Sequence, residues 1–297
     1  MTTQVWTVVL AAGAGRRLAT VTGGVPKQFW RGDGRRSLLE ETLDRFRPLA
    51  PAARTVVVVD DGHRRLIEPG GPLTRAATVV FQPEDRGTAA GVLLSLLPVL
   101  DADPEAIVII TPSDHGIGNA AAFRRGLLEA ARSARSGDAI VVAGVEPTGP
   151  NTDYGWIVPG PGRAPQRVRP VRAFVEKPPA DVAASLFAGG AVWNTMVVVA
   201  RARVLLALCR ALVPALTGVF DTAWGLGATA RRAFLAAAYP ALARVDFSHD
   251  VLGAARGLST LVWGASVGWS DLGTPDRLRA WRAAEDAQAA GSAASVA

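Results

Sequence analysis

Cysteine occurs once in these 297 residues, at Cys209, and lysine, tyrosine and methionine occur twice each. A lone cysteine excludes an internal disulfide and any zinc site built on clustered thiolates. The three histidines, His63, His115 and His249, are far apart and show no metal-ligand spacing. No Ser/His/Asp triad or activated thiol can be read, so a protein nucleophile is not expected. Aromatic residues make up only 6% and do not interleave with a basic run, which argues against a stacking platform for nucleic acid. Long apolar runs are missing too. Val5–Ala12 is too short to span a bilayer and has no basic stretch before it. A cytoplasmic protein with neither a nucleic-acid nor a membrane partner is expected.

Positive charge is present in excess, with a formal net charge of +6, but it is carried by scattered arginine pairs. Of Arg16-Arg17, Arg35-Arg36, Arg64-Arg65, Arg124-Arg125 and Arg231-Arg232 most read as solvated helix faces, and a phosphorylated small molecule suits this balance better than a polyanion. Hydrophobic residues reach 49%, enough for one large core.

The apolar run Val5–Ala12 ends in Gly13-Ala14-Gly15, as a parallel strand covered on both faces enters a tight loop. Ser37-Leu38-Leu39-Glu40 is a capping box that opens a helix to about Leu49. Strands are predicted at Thr55–Asp60, Ala77–Gln82, Ala106–Thr111 and Ala139–Val145. Between them lie a helix capped by Thr88 and another at Ala120–Ser133. The alternation implies an α/β fold, a Rossmann-like doubly wound sheet that is mixed but mostly parallel. After Pro147 shorter extended pieces, Tyr154–Val158 and Val168–Val175, suggest a substrate-facing extension of the same domain. Val192–Ala200 and Leu258–Trp263 read as strands. Arg201–Leu212, about Phe220–Ala238 and Thr274–Ala289 read as helices. One domain over 1–289 is expected, with one half at 1–145, a second at 146–289 and a disordered tail at 290–297.

With thirty of the 32 basic side chains arginine, the surviving Lys27 and Lys177 stand out. Lysine is a compact charge on a thin stem that reaches a phosphate oxygen in a narrow site, whereas arginine is a broad fork. Both adjoin proline, in Val25-Pro26-Lys27-Gln28-Phe29 and Phe174-Val175-Glu176-Lys177-Pro178, which constrains the backbone that aims them. The loop Gly13-Ala14-Gly15-Arg16-Arg17-Leu18 can cradle phosphates with its N–H groups, although it matches neither a dinucleotide fingerprint nor a P-loop. Asp114, in Pro112-Ser113-Asp114-His115, lies just past a buried strand, where open α/β sheets bind ligands. Asp271 lies in the turn Gly268-Trp269-Ser270-Asp271-Leu272-Gly273. One or two carboxylates plus substrate phosphates are the usual setting for Mg²⁺, whereas an aspartate read alone is more often a turn or cap residue.

Taken in order, these segments resemble the sugar-1-phosphate nucleotidyltransferases, and within them the mannose-1-phosphate guanylyltransferase branch. The resemblance runs through Leu10–Leu18, Pro26–Phe29, Gln82–Ala89, Pro112–His115, Tyr154–Ile157, Phe174–Pro178, Trp193-Asn194-Thr195 and Gly268–Gly273. It implies Mg²⁺-dependent transfer of a nucleotidyl group from a nucleoside triphosphate, GTP, to a sugar-1-phosphate, mannose-1-phosphate, with release of pyrophosphate. Leu10, Ala11, Ala12, Gly13, Gly15, Arg17, Lys27, Gln82, Thr88 and Ala89 would then contact the nucleotide. Tyr154, Gly155, Glu176, Lys177, Asn194, Thr195 and Asp250 would contact the sugar phosphate, and Asp114 and Asp271 the metal. Arg17, Lys27, Lys177, Asp114 and Asp271 would form the catalytic set. The resemblance is compatible with a homo-oligomer. Neither the β-helix nor the cupin domain that many relatives append is expected here.

Two departures from the family pattern stand out, and the second bears on sugar choice. Arg16 replaces the usual threonine of Gly-Thr-Arg-Leu, and Met196 stands where Trp-Asn-Ser-Gly ends in glycine, crowding the sugar side. Asp250, in Phe247-Ser248-His249-Asp250, reads equally as a helix cap. A methylerythritol-phosphate-type cytidylyltransferase shares the opening loop and Pro-Lys-Gln, but Phe174–Pro178 and Gly268–Gly273 argue against it. A degenerate, nucleotide-sugar-binding regulator is the alternative outside catalysis.

Overall fold

A computed structural model describes residues 4–32, 36–162 and 167–294. The strands are β1 (Val5–Ala11), β2 (Thr55–Asp60), β3 (Thr78–Gln82), β4 (Ile107–Pro112), β5 (Gly116–Ile117), β6 (Val141–Val145), β7 (Trp156–Pro159), β8 (Val168–Val175), β9 (Val192–Arg201), β10 (Ser259–Trp263) and β11 (Trp269–Ser270). The helices are α1 (Ala19–Thr22), α2 (Leu38–Phe46), α3 (Pro72–Ala76), α4 (Thr88–Ala102), α5 (Ala120–Ser136), α6 (Ala180–Ala188), α7 (Ala202–Leu212), α8 (Pro214–Trp224), α9 (Ala228–Ala238) and α10 (Pro275–Ala294). Among the described residues no helix is long and apolar enough to cross a membrane.

Nine strands form one mixed sheet in the order β3-β2-β1-β4-β9-β6-β10-β8-β7. Its first four strands are parallel, with Val8 opposite Val56 on one side and Ile110 on the other. Such strands are wholly buried, which is why they read as unbroken Val/Ile runs rather than alternating ones. β9 then runs antiparallel between β4 and β6, and β10 is parallel to β6. Helix α4 is apolar on nearly every face. It lies between the sheet and α7 and α8, in a cluster that also holds Leu205, Phe220 and Tyr239. On the opposite face α5 packs Phe123 against Trp263, with ring centroids 4.6 Å apart.

Several local expectations hold in detail. Both hydrogen bonds of the Ser37/Glu40 capping box form, at 3.2 Å and 2.8 Å. Three expectations are corrected. The stretch 220–238 is two helices, α8 and α9, divided at Gly225-Leu226-Gly227, because glycine lowers helix stability. Thr88 begins α4 rather than capping it; its Oγ1 instead accepts the Phe247 N–H at 2.7 Å. The terminal helix continues past Ala289 to Ala294, through the first residues assigned to a tail, and the remainder of that tail lies outside the described residues.

Candidate active site

A cavity of about 560 Å³ opens over the carboxyl ends of β1, β3 and β4. The end of β1 gives it Leu10, the loop that follows gives it Ala12, Gly13 and Gly15, and β3 gives it Gln82. Gln28, fully buried, holds that loop by donating Nε2 hydrogens to the carbonyls of Ala11 at 2.7 Å and Gly13 at 2.9 Å. Both carbonyls are thereby tied to the buried Gln28 amide. Gly15 is left-handed at φ +63°, which leads the chain into the short turn Arg16–Leu18. Arg17 is exposed and is not among the residues lining the cavity. The side chain of Arg16 lies outside the described part of the structure.

Beyond the loop, Asp114 also lines the cavity. The buried ammonium of Lys27 lies 3.2 Å from Asp114 Oδ2 and donates to the main-chain oxygen of Asp271 at 2.6 Å. A short antiparallel ribbon sets these two turns side by side, with β5 leaving Asp114 and β11 entering Asp271, and Ser270 opposite Gly116. Gly118 and Asn119 extend the ribbon by donating to the Gly268 and Val267 carbonyls, both at 3.0 Å. His115 supports it from beneath, its Nδ1 accepting from Trp269 Nε1 at 3.2 Å. Burial, outweighing the carboxylates of Asp114 and Asp271, pushes this imidazole down to about 4, so His115 is a neutral brace.

The Asp271 carboxylate accepts the Tyr154 hydroxyl at 2.9 Å and Arg277 Nη1 at 2.8 Å and 3.0 Å. Burial alone would raise this carboxyl. His115, the Tyr154 hydroxyl and Arg277 outweigh it and hold Asp271 below the usual carboxylate range. Burial, with the Asp271 charge, raises the Tyr154 phenol, which therefore remains a donor. Gly273 leaves room for the carboxylate, since a Cβ there would fall 2.5 Å from Asp271 Oδ2. Asp114 and Asp271 together offer hard oxygen donors of the type that Mg²⁺ takes, and among the described residues no third ligating group joins them. Such a donor set fits an ion whose coordination is completed by phosphate oxygens and water.

Of the predicted sugar-side residues Asp250 lines the cavity, whereas Tyr154, Gly155, Glu176, Lys177, Asn194 and Thr195 are not among its lining residues. Asn194 is buried, and its N–H donates to the Gly155 carbonyl at 2.7 Å. Glu176 lies against Gly155, where a Cβ would collide with Oε2 unless the carboxylate shifted. Glu176 Oε2 is buried and has no hydrogen-bond partner among the described residues, and burial raises its carboxyl, against the pull of Lys177. A buried acceptor left open is an invitation to a ligand hydroxyl. Lys177 is largely exposed, with Nζ 3.9 Å from Glu176 Oε1. Thr195 is fully buried and its hydroxyl donates to Ala143 O at 2.7 Å, so it shapes the strand rather than facing the cavity.

Met196 lines the cavity from β9 and accepts a hydrogen bond from the Ser248 hydroxyl at its sulfur. It belongs to a bulge: Val197 pairs with Ala143 while Asn194 already pairs with Gly144. The non-glycine residues with positive φ among those described are Lys177 (45°), Met196 (58°) and Leu272 (47°). All three flank the candidate site, where strained backbone tends to collect.

The far wall comes from the π-helical turn Phe247–Leu252 and the chain before it, through Arg244, Asp246 and Asp250. Asp246 Oδ1 accepts the His249 N–H at 2.9 Å and Asp250 Oδ2 accepts the Asp246 N–H at 2.7 Å. Asp250 therefore does cap a turn, and it lines the cavity as well. Thr88 is also part of the lining, but Ala89 is not: it is fully buried and spends its N–H on Val245 O at 3.2 Å. Residue reading missed Gln28 as a brace, Arg277 on Asp271, and the wall of Arg244 and Asp246. Gln28 lay inside a recognised motif, but nothing local marked the other three.

Similarity to known proteins extends over most of the chain. A family model described as "Nucleotidyl transferase" matches residues 6–288. The xanthan biosynthesis protein XanB of Xanthomonas campestris pv. campestris is 31% identical over 224 residues, which is 73% of this chain and 46% of that protein. A mannose-1-phosphate guanylyltransferase of Sinorhizobium fredii is 28% identical over 90% of this chain and 53% of its own length. The chain thus spans about half the length of these curated relatives. A crystal structure described as a mannose-1-phosphate geranyltransferase from Thermus thermophilus superposes with a TM-score of 0.81 at 26% identity, over 91% of this chain and 76% of that one. A UDP-glucose pyrophosphorylase in complex with UDP-glucose has a TM-score of 0.59 at 12% identity, a likeness of fold alone, over 96% of this chain and 99% of that one. On the matched residues 6–288, this chain belongs to the nucleotidyl transferase family.

Proposed function

We propose that the protein transfers a nucleotidyl group from a nucleoside triphosphate, GTP, to a sugar-1-phosphate, mannose-1-phosphate, releasing pyrophosphate with Mg²⁺ as cofactor. The observation that carries this reading is Lys27 joining the Asp114 and Asp271 turns at the edge of a cavity floored by the Gly13–Gly15 loop. A sugar-phosphate oxygen attacks the α-phosphorus and the bond to the pyrophosphate oxygen breaks. Such a displacement needs positioning and charge neutralisation rather than a protein nucleophile.

In this reading the loop N–H groups and Arg17 hold the triphosphate, Lys27 neutralises charge at the reacting phosphate, and Gln82 and Thr88 flank the nucleoside. Tyr154, Gly155, Glu176 and Asn194 line the sugar, with the open Glu176 Oε2 accepting from a hydroxyl and Lys177 on the sugar phosphate. Asp250 borders the same space. Asp114 and Asp271 would hold the metal, which when bound neutralises the developing phosphate charge.

The test is pyrophosphate release over a matrix of five nucleoside triphosphates and a panel of sugar-1-phosphates that includes mannose and glucose. Turnover confined to GTP with mannose-1-phosphate is expected. Silence throughout, with tight binding of a nucleotide sugar, would replace the enzyme by a regulatory binder.

A further inference from the structure

Arg277 occupies a place that the general reading of the site leaves unexplained. It stands in the first turn of α10, where the helix dipole disfavours a cation, and its own N–H is taken up by Thr274 Oγ1 at 3.3 Å. Its guanidinium nevertheless reaches both oxygens of Asp271, at 2.8 Å and 3.0 Å, and lies 5.1 Å from the centre of the Tyr154 ring. Lys27 takes the other carboxylate, Asp114, at 3.2 Å. The charges of two carboxylates are therefore balanced by two fixed cations. A divalent ion arriving alone meets carboxylates that already hold cationic partners, and it must displace or share Arg277 to reach Asp271.

A second acceptor is within reach of the guanidinium. Asp153 Oδ2 lies 3.8 Å from Arg277 Nη2 on the exposed side of the site. A small rotation toward Asp153 would free Asp271 without leaving Arg277 unpaired. A triphosphate in the cavity supplies the missing negative charge and gives the ion oxygen ligands, which favours that rearrangement.

We propose that Arg277 is a built-in counter-cation of Asp271 that suppresses binding of a free divalent ion at the Asp114/Asp271 pair, so that the ion is held tightly only together with the polyphosphate. This rests on the proposed nucleotidyl transfer for the identity of the polyphosphate. Arg277 acts through Asp271, as a positioning residue.

The experiment is a titration with Mn²⁺, followed by loss of the free-ion paramagnetic resonance signal, on the unmodified protein and on Arg277→Gln and Arg277→Ala. Each is measured alone and with a non-hydrolysable GTP analogue. Arg277 is partly exposed, so both variants should fold, and a thermal melt checks this. Expected is weak Mn²⁺ binding to the unmodified protein alone, at least about tenfold tighter binding in both variants, and loss of that gain when Asp271→Asn is added. The difference between unmodified protein and variants should shrink when the analogue is present. Equal Mn²⁺ affinity in all three proteins without nucleotide, or a gain that survives Asp271→Asn, overturns the proposal. Neither result depends on turnover: a silent substrate matrix with the Mn²⁺ differences intact would defeat the proposed reaction alone, and the reverse pattern would defeat Arg277's role alone.

Discussion

Gly15 and Lys27 share one small space: a Cβ on Gly15 would lie 2.8 Å from the main-chain nitrogen of Lys27 and 3.3 Å from its Cβ. The glycine loop and the lysine that joins the two aspartate turns are thus packed against each other. Gly15→Ala adds both this clash and the cost of a left-handed backbone, about 1–2 kcal/mol for the latter. The expected result is a lower melting temperature and weaker nucleotide binding together, read by calorimetry. Unchanged nucleotide affinity would show that loop and lysine are independent.

Lys27→Met keeps the stem and removes the charge. Because Asp114 is about one-third exposed, water takes over part of the lost pairing, and the stability cost should stay near 1–2 kcal/mol. Turnover should fall by about 10²-fold or more, since a charge beside the reacting phosphate is lost. Lys27→Arg should not rescue it, because the site is closed around a thin stem. A rate within about threefold of the parent in either variant would remove Lys27 from the chemistry.

Glu176→Gln should stabilise the empty protein and damage the liganded one. Burial raises the folded carboxyl above its value of 4.5 in the unfolded chain, so the folded state holds this proton more tightly. Stability from this group is therefore lost as pH rises from 4.5 through the folded value. The variant's advantage, about 1 kcal/mol by the scale of one unsatisfied buried group, should be full at neutral pH and fade as pH falls toward the unfolded value. Denaturant melts at several pH values check this, while the KM for the sugar phosphate should rise. An advantage that grows on acidification would contradict burial as the cause.

Met196→Gly exchanges a strained left-handed methionine for the residue that prefers that conformation. About 1 kcal/mol of backbone strain is relieved and a comparable packing term is lost, so stability should change little. The space beside Asn194 and Ser248 opens, and sugar-1-phosphates with a bulkier substituent, such as an N-acetyl group, should gain about tenfold or more in kcat/KM relative to the parent acceptor. An unchanged preference would mean that Met196 does not touch the sugar.

Much of this molecule was legible one residue at a time. The buried parallel strands announced themselves as Val/Ile runs, because a strand covered on both faces has no polar side to display. The Ser37/Glu40 box was readable because both of its bonds are local. The two lysines were found by their rarity, and the aspartates by their place after strands. Less visible was the division between α8 and α9, a short glycine break within an otherwise helical composition. Strands β5 and β11 were not visible at all, since each has two residues and exists only by pairing with the other.

Sequence by itself determined the sheet's parallel half, the glycine loop after β1, and the identity of the charged groups available near it, because these follow from local pattern and residue chemistry. Tertiary structure alone decided that Lys27 spans Asp114 and Asp271, that Arg277 occupies Asp271, that Ala89 is shut out of the cavity, and that Glu176 is left with an open acceptor. Those relations join residues far apart in the chain, and the distances that govern charge and hydrogen bonding are fixed only when the β5/β11 ribbon and the bulge in β9 are packed.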